Sequence, residues 1–190
     1  MRNATVAEVI RAIEAAHDRA PGGALAFDGD GTLWAGDVGE DFFVSLLDRG
    51  LHPAAHDALA REAAAEGVET HGSAREIAHR IHLAYLAGRF PEERVCEIMT
   101  WAAAGWTTDE LEAFCARLTT EIGLRARLHG EAVQIVEHAR RVGIEVFIVS
   151  ASPRAIVEAA ARVVGVGPEN AIAAREQRDG VGVVQCAVER

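Results

Sequence analysis

The chain has 190 residues, of which 49% are apolar and 25% charged, with a formal net charge of -10. That is enough sequence for one substantial core, or for a core carrying a smaller inserted unit. The acid excess offers no basic stripe and argues against nucleic-acid binding. No apolar run approaches the roughly 20 residues of a membrane span, and the mixed-charge start MRNATVAEVIRAIEAAHDRA lacks a signal-peptide pattern. A cytoplasmic protein with no membrane partner is therefore expected. Cys96, Cys115 and Cys186 lie far apart without metal-type pairing, as reduced structural cysteines do. All 19 basic residues are Arg, and Lys is absent.

Taken in chain order, Thr5 and Glu8 form a capping box ahead of Val6, Val9, Ile10 and Ile13, whose spacing predicts a helix to about Arg19. Pro21, Gly22 and Gly23 stop it. Ala24 to Phe27 is a short apolar run ended by Asp-Gly-Asp-Gly, which reads as a buried strand stopping at a loop. From about Asp37 to Leu128 the pattern is helical throughout. Helices are expected near 38–49, 53–66, 73–88, 91–104 and 108–121, punctuated by Gly50, Pro53, Gly67, Gly72, Pro91 and Gly105. A helix over 131–141 follows, then a β-rich run at 145–149, EVFIV, stopping at Ser150. Ser152 and Pro153 read as the N-cap and first-turn proline of a helix to about Val164. Ala171 to Ala174 is a third strand. Strand, crossover, strand, helix, strand predicts an α/β fold: a Rossmann-like parallel sheet with helices on both faces and an inserted all-helical unit. The expected division is a core of residues 1–35 and 128–190, with a helical cap at 36–127.

Ligands of open parallel sheets bind at the carboxyl ends of the strands. DGDGT at 28–32 and Ser150-Ala151-Ser152 both fall at that rim. A calcium loop counted from Asp28 would need Gly at its sixth position and Glu at its twelfth, where the chain has Leu33 and Gly39. A plain Asp-Gly turn is the other competing reading.

Asp28-Gly29-Asp30-Gly31-Thr32-Leu33, preceded by the strand ALAF, resembles the first motif of the haloacid dehalogenase superfamily of aspartate-nucleophile phosphatases. VFIVSAS at 146–152, followed by Pro153 and Arg154, resembles that superfamily's second motif. The similarity runs from about Ala24 to Gly180, and the helical insertion matches the cap of the branch that includes phosphoserine phosphatases. The two motifs at this spacing displace the plain-turn reading. The resemblance implies that Asp28 is the nucleophile and Asp30 the general acid and then base. It implies Mg²⁺ held by Asp28 and by the backbone carbonyl of Asp30. Ser150 would donate to a phosphoryl oxygen, with backbone N–H groups of Gly29 and Gly31 beside it. Thr32, Ala151 and Ser152 complete the expected substrate-binding set. The dehalogenases lack the second Asp and the ion-pumping ATPases have Thr there, so Asp30 favours a phosphatase.

Two further motifs of the family, a basic residue, usually Lys, and an acidic pair on another strand, are not found after Ser150. The only Asp there is Asp179, in QRDG, which reads as a hairpin turn. Arg175 and Arg178 are the candidates to replace the Lys. Without the acidic-pair strand, ALAF would be an exposed apolar edge. Either the chain stops short of a longer protein, or it is a degenerate relative whose edge is closed by the N-terminal helix or by a second copy in a homodimer. Asp37 lies near where phosphoserine phosphatases carry a Glu that meets the substrate's amino group. Arg75, Arg80 and Arg89 could meet a carboxylate, though solvated helix faces suit them better. His79 and His82, like His52 and His56, read as surface or half-buried histidines rather than metal ligands. Trp34 is placed to wall the site. The expected substrate is a small-molecule phosphate ester; the alternative is a non-catalytic domain that binds a phosphorylated ligand or a protein partner.

Overall fold

The computed structural model describes residues 4–189. Helix α1 (Val6–Arg19) opens on its capping box, the Thr5 hydroxyl accepting from the Glu8 N–H while the Glu8 carboxylate accepts from the Thr5 N–H. Strand β1 (Ala24–Asp28) follows. Every regular element between β1 and the next strand is helical: α2 (Val38–Arg49), α3 (His56–Ala65), α4 (Ala74–Leu86), α5 (Glu92–Trp101), α6 (Thr108–Glu121) and α7 (Gly130–Arg141). The chain then forms β2 (Glu145–Pro153), α8 (Arg154–Val164), β3 (Ala171–Ala174) and a hairpin of β4 (Glu176–Arg178) and β5 (Val184–Val188). Among the described residues no helix is long and apolar enough to cross a membrane.

The fold is α/β, with a parallel sheet in the order β1-β2-β3. Register pairs Phe27 with Ile148 and Asp28 with Val149, so the ends of β1 and β2 reach the rim together. The expected strand at 145–149 is longer than its apolar run. It continues to Pro153, and α8 begins at Arg154 without a side-chain cap. Ser152 is therefore not an N-cap: its hydroxyl is engaged by Asp30 across the rim. The QRDG turn does close a hairpin, with Asp179 Oδ1 accepting from the Val181 and Val183 N–H groups.

One apolar cluster runs through sheet and helices. Its largest fully buried members include Phe42, Phe43 and Leu46 of α2, Ile77 and Ile81 of α4, and Phe114 of α6. Each such side chain contributes about 1.5–3 kcal/mol when taken from water. The two connections between sheet and helical insertion lie side by side. Ala35 N–H donates to Arg127 O, Arg127 Nε–H donates back to Ala35 O, and His129 N–H donates to Leu33 O. Gly36 sits at φ +83°, where a Cβ would also meet the Arg127 guanidinium.

The two faces of the sheet differ. Val146, Ile148 and Ala171 are buried, whereas the opposite face leaves Val149 44% and Ile172 54% exposed. Successive right-handed crossovers that advance in one direction set their helices on one face. The expected cover on the second face is accordingly thin.

Candidate active site

The rim of the sheet places two carboxylates at the mouth of a cavity of about 210 Å³. Asp28, the last residue of β1, is exposed, and one of its oxygens accepts from the Thr32 hydroxyl at 2.9 Å. Asp30 is half-buried and held on both oxygens. Oδ1 accepts from Trp34 Nε1 and from the Val38 N–H, each at 2.8 Å. Oδ2 accepts from the Ser152 hydroxyl at 2.8 Å and from the Ser150 hydroxyl at 3.5 Å. The Ser150 oxygen also accepts from the Ser152 N–H. Val38 is the first residue of α2, so Asp30 meets the positive end of that helix. Gly39 permits the approach, since a Cβ there would stand 2.7 Å from Ser152 Oγ.

Of the sequence-predicted residues, Asp28, Asp30, Asp37, Ser150, Ala151 and Ser152 line this cavity together. Gly29, Gly31 and Thr32 do not line it. The Gly31 N–H is taken by the Trp34 carbonyl at 2.8 Å, so the expected phosphate donor is spent inside the loop. Gly29 is small for a different reason from substrate approach: a Cβ would lie 2.7 Å from the Trp34 ring. Trp34, expected to wall the site, is fully buried and does not line the cavity; it acts from beneath through its indole N–H on Asp30. Arg175 and Arg178 line another cavity with Glu112, Glu158 and Glu189, where Arg178 pairs with buried Glu176. Neither replaces the Lys at Asp28.

The helical insertion contributes residues that sequence spacing did not single out for the site. Glu40 lines the cavity and is held from behind by His82, which is buried rather than at the surface, at 2.6 Å. Tyr85 from α4 and Glu92, Cys96 and Met99 from α5 face the rim. Only Glu40 carried a signal, as part of the acidic run that follows the motif. Burial, then the charges of Asp30 and Glu40, raises the Asp37 carboxyl above its ordinary value against the pull of backbone donors. Burial first, then Glu92 and Asp37, pushes the Cys96 thiol up.

One Asp28 oxygen and the main-chain carbonyl of Asp30 have no hydrogen-bond donor among the described residues. Two hard oxygens, with the remainder of an octahedron supplied by water and phosphate, suit Mg²⁺. Among the described residues no group of three acidic, His or Cys side chains forms a fuller cage.

Solved structures similar to this chain include the following three. A Bordetella pertussis Tohama I protein of unknown function is 24% identical, with a TM-score of 0.59, over 88% of this chain and 66% of that one. A functionally unknown Anaerococcus prevotii DSM 20548 protein is 15% identical, with a TM-score of 0.62, over 87% and 64%. A phosphoserine phosphohydrolase-like protein from Francisella tularensis subsp. tularensis SCHU S4 is 14% identical, with a TM-score of 0.45, over 88% and 64%. The chain thus spans 64–66% of the length of these proteins. At such identities the first two likenesses concern the fold. No curated protein matches the chain. The family model of the haloacid dehalogenase-like hydrolases matches residues 25–184, which takes in both rim motifs and the insertion between them, and the chain belongs to that family.

Proposed function

We propose that the chain is a Mg²⁺-dependent phosphatase that hydrolyses a small phosphate monoester through an aspartyl-phosphate on Asp28. The observation that carries the reading is Asp30: its carboxylate is fixed beside Asp28 by the first amide of α2, the Trp34 indole and the Ser152 hydroxyl. A free Asp28 oxygen attacks phosphorus and the ester P–O bond breaks. The leaving alkoxide takes a proton from Asp30. Asp30 then takes a proton from water, whose oxygen attacks phosphorus and breaks the bond to Asp28, releasing inorganic phosphate. Oδ1 of Asp30 is occupied by two fixed N–H donors, so the proton moves at Oδ2, whose serine partners can turn to donate or accept. Asp28 and the main-chain carbonyl of Asp30 would hold Mg²⁺, which would supply positive charge to offset phosphate against carboxylate. Helices α2, α4 and α5 close the mouth and set specificity, as the cap of the phosphoserine-phosphatase-like branch would.

A second reading, a domain that holds a phosphorylated ligand or partner without hydrolysing it, is favoured by one feature. Among the described residues no Arg or His lines the cavity. Hydrolysis of para-nitrophenyl phosphate with Mg²⁺ and with chelator separates the two. Chelator-sensitive turnover that is lost in Asp30→Asn supports the phosphatase. Turnover no faster in wild type than in the variant leaves the binding domain.

A further inference from the structure

Both N–H donors on Asp30 Oδ1 come from one short stretch, residues 33–38: the Trp34 indole and the Val38 amide. The stretch begins in the loop after β1 and ends in α2. In its middle Gly36 sits at φ +83°, where glycine turns freely and other residues do not. A hinge of that kind keeps the two donors aimed at one oxygen only if both sides of it are held.

Residues 127–129, where the chain leaves the helical insertion, do the holding. His129 N–H donates to Leu33 O and Ala35 N–H to Arg127 O, each at 2.9 Å. These are main-chain bonds, largely indifferent to the side chain at 127. The Arg127 guanidinium adds two of its own. Nε–H donates to Ala35 O at 2.7 Å, beside Trp34, and Nη1 donates to Asp41 Oδ2 at 2.6 Å, in the first turn of α2. The remaining nitrogen lies against Gly36, where a Cβ would collide with it. One planar fork thus grips both sides of the hinge, which the single ammonium of a Lys does not reproduce. The Arg127 and Asp41 side chains are half-buried, so the pair is less screened than one in open solvent.

Arg127 does not line the rim cavity, so its effect on the reaction has to pass through other residues. We infer that Arg127 is a positioning residue for the acid–base step: by tying Ala35 to the first turn of α2 it fixes the Trp34 and Val38 donors on Asp30 Oδ1, which leaves Oδ2 to give and take the proton. Without the fork the stretch is held by main-chain bonds alone, Gly36 is free to turn, and the carboxylate moves with its donors. Misplacing a reacting group by about 1 Å is enough to cost about a hundredfold in rate. The inference rests on the phosphatase reading, in which Asp30 protonates the leaving group.

Two aryl phosphates separate positioning from stability. Phenoxide is a stronger base than para-nitrophenoxide, so phenyl phosphate depends more on the proton from Asp30. The measurement is the ratio of kcat/KM for para-nitrophenyl phosphate to that for phenyl phosphate, with Mg²⁺ present; the fraction of folded enzyme cancels from it. Arg127→Ala is expected to raise the ratio about threefold or more, because phenyl phosphate loses the larger share of its rate. Arg127→Lys keeps the charge opposite Asp41, guards against a variant that does not fold, and should move the ratio the same way. Trp34→Phe removes one of the two donors directly and is the reference for the direction of the change. A ratio unchanged in both Arg127 variants, however much each rate falls, overturns the inference and leaves the phosphatase standing. If the wild type hydrolyses neither ester, the phosphatase reading falls and the inference falls with it.

Discussion

Asp30 draws its hydrogen bonds from three stretches of chain: Trp34 in its own loop, Val38 at the start of α2, and Ser150 with Ser152 at the end of β2. The carboxylate pair and the serines were legible in the sequence because each follows an apolar strand. The donor from α2, the Val38 N–H, was not, because nothing in residues 36–39 announces that the helix N-terminus turns back onto the rim. Gly29 is the most exposed to test. Its missing Cβ leaves room for the Trp34 ring, which is rigid and fully buried and cannot yield as a flexible side chain would. Gly29→Ala is expected to cost about 1–3 kcal/mol of stability, measured by urea unfolding. It should also lower turnover, because the indole that holds Asp30 must move. Trp34→Phe keeps most of the ring but removes the N–H on a charged acceptor, a bond worth about 1.5–3 kcal/mol; steady-state kinetics should show the loss mainly in kcat.

At the scale of elements, the helices declared themselves through their ends. Thr5 with Glu8, Ser73 with Glu76 and Thr107 with Glu110 all form capping boxes in the structure. The β2 to α8 junction misled for the same reason, since Ser152-Pro153 has the chemistry of a helix start while the serine serves Asp30. Helix α2 is capped by Asp37, whose Oδ1 accepts from the Glu40 N–H at 2.9 Å. Asp37→Ala should cost about 1 kcal/mol, whereas Asn caps nearly as well as Asp. Burial raises the Asp37 carboxyl, so the folded chain binds that proton more readily than the unfolded chain. The contribution is fully present below the ordinary carboxyl value and is lost as pH rises through the raised folded value. Asp37→Asn is therefore expected to gain stability relative to wild type between about pH 4 and pH 7. Paired denaturation curves at the two ends of that range check the sign.

Across the whole molecule, parallel order and the position of the site at the strand ends were readable from the alternation of strand and crossover. How the helical insertion leans on the rim was not, because Tyr85, Glu92, Cys96 and Met99 reach the cavity through packing between distant helices. Among the described residues strand β1 pairs only with β2, Ala24, Ala26 and Asp28 are exposed, and Val149 and Ile172 lie bare on the adjoining face. Unpaired edges of this kind invite strand pairing between molecules. The 190-residue chain is expected to self-associate with rising concentration in sedimentation velocity runs. Ala26→Lys should reduce that association without unfolding the protein. An equally associated lysine variant would move the contact away from β1.

The central claim is that Asp28 takes the phosphoryl group. Acid-quenched protein, caught during turnover of para-nitrophenyl phosphate with Mg²⁺ and analysed by peptide mass spectrometry, tests it most directly. The account predicts one phosphoryl adduct on the peptide containing Asp28, and no adduct and no turnover in Asp28→Asn. Turnover by Asp28→Asn as fast as wild type would contradict it.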